Sequence, residues 1–122
     1  MREHALDASN PGLAARSSWQ LGKLYHARGQ LDEAFRYFKR AALSDDPVAA
    51  PNGHNGLGVV YMRLGDLENA AAAFGRAIGS LGSDAAPKAA RNLGILLERS
   101  GDLEGAKEAF ERSIALGDNA IA

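Results

Sequence analysis

Apolar residues recur along this chain with the period of a helix. Ala90, Leu93, Gly94 and Leu97 fall at i, i+3, i+4 and i+7, and Leu103, Ala106, Phe110 and Ile114 follow nearly the same spacing. Charged residues fill the positions between. The apolar runs are short and glycines bound them, so the spacing predicts six helices, near 14–28, 31–44, 49–64, 67–80, 86–100 and 103–116.

The pattern also repeats over a longer interval. Leu-Gly occurs at 21–22, 57–58 and 93–94, a period of 36 residues, and Gly29, Gly65 and Gly101 keep the same register. So do Leu31, Leu67 and Leu103, then Ala34, Ala70 and Ala106, then Phe38, Phe74 and Phe110. Three units follow, 15–50, 51–86 and 87–122, each two helices, behind an N-terminal segment 1–14. Gly29, Gly65 and Gly101 sit where each first helix must stop, and glycine enters the left-handed region there without strain. Asp66 and Asp102 follow as N-caps of the second helices, with Gln30 a weaker cap in the first unit. Pro51 and Pro87 open the second and third units, where a missing N–H costs little.

These residues resemble the tetratricopeptide repeat, whose signature runs W-x2-L-G-x2-Y, then A-x3-F, then a proline. Leu21-Gly22, Tyr25, Ala34, Phe38 and Ala41 match it in the first unit. Leu57-Gly58, Tyr61, Ala70, Phe74 and Ala77 match in the second, and Leu93-Gly94, Leu97, Ala106, Phe110 and Ser113 in the third. The resemblance covers about residues 15–116. It implies an all-α fold, a right-handed α-solenoid of three helix-turn-helix repeats. These units are two residues longer than the family's usual 34, and Ser18, His54 and Ala90 stand where its tryptophan belongs. The Sel1-like repeat is the nearest alternative, but its longer connection within the unit is missing from Arg28-Gly29-Gln30-Leu31.

Packing accounts for most of the repeated positions. Gly22, Gly58 and Gly94 are expected on the inner face of the first helices, where a neighbouring backbone comes close. Gly53-His54-Asn55-Gly56-Leu57-Gly58 has the glycines of a nucleotide loop, but no strand precedes it and it lies within a helical pattern. His54, in the tryptophan slot, reads as a packed core histidine. Gly75 and Gly79 weaken the second helix of the middle unit, which makes that unit the expected soft point.

Composition narrows the chemistry. The 122 residues include no cysteine, which removes disulfides and thiolate chemistry, and the net charge of −1 is not that of a nucleic-acid binder. His4, His26 and His54 form no metal-ligand spacing, and no serine lies in a G-x-S-x-G elbow. The expectation is a cytoplasmic, non-enzymatic protein with no cofactor, no metal, no nucleic acid and no membrane insertion. Charge is nevertheless unevenly placed. The three first helices carry seven basic side chains against one acidic, while the second helices carry six against eight.

The resemblance puts the first helices on a concave face, so it implies a basic groove suited to an acidic peptide or partner protein. The groove residues it carries over are Arg16, Trp19, Lys23, His26 and Ala27, then Asn52, Asn55, Val59, Met62 and Arg63, then Lys88, Arg91, Ile95, Glu98 and Arg99. Asn55 and Asn92 are placed to bond an extended peptide backbone, as amides do in many members of this family. The family's clamp for a C-terminal carboxylate is only partly matched: Lys88 agrees, but Trp19, Lys23, Gly56 and Asn92 do not. Trp19 is the sharpest individual candidate, a lone indole beside Lys23 and His26. A second reading concerns the ends. No seventh, solvating helix follows Leu116, so an apolar edge of Ile95, Leu96, Phe110, Ile114 and Leu116 is expected to close by self-association through the C-terminal end or against a further unit. Ala5-Leu6-Asp7-Ala8-Ser9-Asn10-Pro11 resembles the tail of a preceding second helix, which favours a piece of a longer array.

Overall fold

A computed structural model describes residues 10–121, with side chains through 117. Its helices are α1 (Pro11–Ala27), α2 (Leu31–Ala42), α3 (Ala49–Arg63), α4 (Leu67–Ile78), α5 (Ala85–Arg99) and α6 (Leu103–Ile121). Most ends fall within two residues of the predicted bounds, and two depart further. Helix α1 begins at Pro11 rather than 14, because proline at the first helical position has its φ preset and no amide to leave unpaired. The stretch before Asn10 lies outside the described residues. Helix α6 runs on through Gly117 instead of stopping at 116, and it is tied to α5 by Ser113 Oγ donating to the Pro87 carbonyl at 2.7 Å and by Leu116 packing on the core.

One turn recurs three times. After α3, Gly65 takes φ +83°, its amide bonds the Met62 carbonyl at 3.1 Å, and the next amide, of Asp66, bonds Tyr61 at 2.9 Å. This Schellman pairing satisfies the last carbonyls of the helix, and Gly29 and Gly101 repeat it. Asp66 then caps α4 by accepting from the Asn69 amide at 3.2 Å, and Asp102 caps α6 through the Gly105 amide at 2.9 Å. Gln30 makes no side-chain cap bond.

Each helix packs on its sequence neighbours, and α3 also packs on α1 and α5; among the described residues α2, α4 and α6 make no contact with one another. First helices therefore form one layer and second helices the other, the arrangement of an all-α solenoid. Phe38 and Phe74 form the centres of the two large core clusters, with alanines close around them. The repeated glycines serve these rings. A Cβ on Gly22 would meet the Phe38 ring at 2.5 Å, one on Gly94 would meet Phe110 at 2.7 Å, and one on Gly58 would collide with Phe74. The expectation that a backbone comes close at Gly22, Gly58 and Gly94 is thus corrected: an aromatic ring of the same pair lies there. Close backbone approach occurs instead at Gly53, 2.5 Å in Cβ terms from the Ala42 nitrogen, where the second pair rests on the first.

Candidate functional site

Helices α1 and α3 cross the first junction side by side and leave a cavity of about 350 Å³ between them. Trp19, Lys23 and His26 line it from α1, Asn52, Asn55, Gly56 and Val59 from α3, and Phe38 from α2. Sequence reasoning named all of these as groove residues except Phe38 and Gly56. In the sequence those two read as a packing residue and as part of a helix interior, yet both line the cavity: a Cβ on Gly56 would meet the Phe38 ring at 2.5 Å. A larger hollow of about 520 Å³ lies between the link 46–48 with the first turn of α3 and the link 80–84, but no aromatic or cationic side chain lines it.

The side chains at the α1–α3 cavity are held in place. Trp19 is half-buried against Ala15, Ala41 and Ala49, and Lys23 Nζ stands 4.5 Å from the centre of its ring, a cation–π contact that fixes both groups. His26 Nε2 lies 3.4 Å from Arg63 Nη1. Burial, and then the Arg63 charge, hold its pKa below the ordinary histidine value, so near neutral pH it is an uncharged acceptor for the guanidinium. Asn55 Oδ1 accepts from Asn92 Nδ2 at 3.1 Å, which joins α3 to α5. These two amides face each other, and each keeps further donor or acceptor capacity. Asn52 is buried and donates to the Val48 carbonyl at 2.8 Å.

Other groove candidates lie elsewhere. Arg16 is not at the cavity: its Nε donates to Asp46 Oδ2 at 2.9 Å, and that carboxylate also accepts from the Ala49 and Val48 amides at the start of α3. The bond to Arg16 holds the Asp46 pKa below the usual carboxylate range. Met62 packs on the core cluster around Phe74, and Ile95 is half-buried on α5. Lys88, Arg91 and Arg99 are exposed on α5 and, like Arg63, pair with no carboxylate among the described residues. His54 is half-buried, its pKa lowered by burial and then by Arg76. Among the described residues no three His, Asp or Glu side chains gather as a metal site, and no helix is long and apolar enough to cross a membrane.

Two layers of antiparallel helices with polar, cationic and aromatic side chains converging between the first helices define a helical-repeat scaffold. The sequence profile of the tetratricopeptide repeat matches residues 20–85 and 55–121, and the chain belongs to that family. The crystal structure of MamA has the same fold, with a TM-score of 0.51 over 95% of this chain and 85% of that one at 17% identity. No curated protein matches the chain in sequence. Tetratricopeptide repeats generally mediate protein–protein interaction and act as scaffolds rather than enzymes.

Proposed function

We propose that the chain binds an acidic peptide, or an acidic segment of a partner protein, in the groove of its first helices, as a cytoplasmic module that performs no chemistry. The observation that carries this reading is the α1–α3 cavity, where an indole, an ammonium and an imidazole from α1 meet two amides from α3 in about 350 Å³. That volume suits one or two side chains of an extended ligand. Trp19 offers a large apolar face at little entropic cost, with Lys23 beside it for a carboxylate. Arg63, Lys88, Arg91 and Arg99 supply an unpaired positive field along the same layer, which draws acidic segments and speeds their encounter.

Trp19 is the only tryptophan, so its emission reports on the groove directly. Peptides selected against the chain from a random display library are expected to be acidic and to shift that emission on titration. Trp19→Ala should weaken them by about 2 kcal/mol or more, and Arg91→Glu should weaken them with helicity kept. Selected peptides that leave the emission unchanged and bind both variants as before would falsify the groove reading.

A further inference from the structure

The faces that stack one helix pair on the next recur every 36 residues, and among the described residues nothing packs on the first and last of them. On α3, Ala49, Leu57 and Val60 are buried against the first pair, and on α5, Ala85 and Leu96 are buried against the second. The matching residues of α1 are Leu13, Leu21 and Leu24, all exposed: Leu24 stands at 55% where Val60 and Leu96 stand at 0% and 4%. An exposed cap of a repeat array is ordinarily polar. This one is leucine at three of its stacking positions.

The other end is its complement. Ile78 of α4 is 6% exposed and packs at the edge of a cleft of the third pair, which it lines together with Ala90, Leu93 and Arg112. Its counterpart on α6, Ile114, is 65% exposed. The first pair has the matching cleft, a hollow of about 480 Å³ lined by Ser18, Leu21 and Arg40, the same three positions moved back by 72 residues. Sterics agree as well. Where an isoleucine is the projecting residue, the facing helix tolerates a Cβ at the point of closest approach, since Ala89 is fully buried opposite Ile78's pair; α1 carries the similarly small Ser17 at that position. Lys107 and Glu111 on α6 pair with each other at 3.7 Å, so this end presents no uncompensated charge from them.

We propose that the chain stacks head to tail on a second copy of itself, with Ile114 of one copy seated in the α1–α2 cleft of the next. The junction continues the α4–α5 junction already present within the chain. The two surfaces differ, so the contact is heterologous, and each added copy leaves one new face of each kind open. Association is then graded with concentration and extends beyond a dimer. Neither Leu13 nor Ile114 lines the Trp19 cavity, so the proposal stands apart from peptide binding.

Light scattering and sedimentation velocity on the full chain test it. The wild type is expected to rise in mass with concentration, and Leu13→Glu and Ile114→Glu, both at exposed helical sites, should each abolish the rise with the circular dichroism spectrum unchanged. Mixed together, the two variants should regain a single species of twice 12.8 kDa and nothing larger, because each keeps the face the other lacks. A wild type that stays monomeric overturns the proposal and leaves the α1 face to residues 1–9 or to an unlike protein. Single variants that assemble as the wild type does also overturn it, as does a mixture that remains monomeric.

Discussion

At the scale of single residues, space decides what a glycine is worth. Gly58 and Gly75 both lie in helices, where alanine is favoured by roughly 0.5–1 kcal/mol. At Gly75 a Cβ meets nothing within 4 Å, so Gly75→Ala should stabilise the chain by about that amount. At Gly58 the Cβ runs into Phe74, which is fully buried and has nowhere to move, so Gly58→Ala should destabilise by about 1–2 kcal/mol despite the better helix former. Urea unfolding of both variants checks the opposite signs, and a shared sign would remove the ring's role. The two half-buried histidines give a second residue-scale prediction. Burial first, then Arg63 at His26 and Arg76 at His54, holds each below its ordinary value of 6.5, so the unfolded chain takes up protons before the folded one. Their contribution is whole above about pH 6.5 and declines as the pH falls through that value. Urea midpoints measured between about pH 7.5 and 5.5 should fall for the wild type and fall less for His26→Gln, His54→Gln. Equal slopes would mean that other groups drive the change.

At the scale of helices, the 36-residue period makes the six elements and their pairing legible, because the same glycine turn recurs in each copy and the same capping aspartate in the second and third. What escaped was whatever broke the copying. Pro11 begins α1 inside a stretch that reads as the tail of something earlier, and Gly117 is carried through α6 although its residue type reads as a stop. Arg16 reads as a groove cation in the sequence because its partner, Asp46, lies 30 residues away in a link with no helical period. The same gap hid a cap. Asp46 accepts from the Ala49 and Val48 amides at 2.8 and 3.2 Å, although the residue immediately before α3 is Val48, which offers no side-chain acceptor. At the cavity, Phe38 and Gly56 were missed because a residue that packs the core is not expected to line a groove as well. Asp46→Ala removes the cap and the Arg16 contact together and should cost about 1–2 kcal/mol. Arg16→Ala leaves both amides satisfied and should cost measurably less, as exposed pairs do. Thermal unfolding of the two variants orders them, and an equal loss would mean that the ion pair rather than the cap holds the start of α3.

At the scale of the whole molecule, stability in a repeat array is a sum of unit terms and junction terms, and among the described residues only the middle pair has a junction on both sides. Local propensity alone makes that pair the weakest, since Gly75 and Gly79 cost roughly 0.5–1 kcal/mol each. Burial argues the other way and by more. Val60 and Ile78 of the middle pair are buried, and each large apolar side chain so buried is worth roughly 1.5–3 kcal/mol. The corresponding residues at the ends, Leu24 and Ile114, are exposed and contribute little of this. Amide hydrogen exchange at low protein concentration should therefore find the slowest amides in α3 and α4, with α1 and the end of α6 opening first. A profile in which α4 exchanges as fast as α1 would place the glycines above the junctions. Raising the concentration adds a discriminating step: stacked ends acquire the second junction they lack, so protection should rise in α1 and α6 and stay constant in α3 and α4.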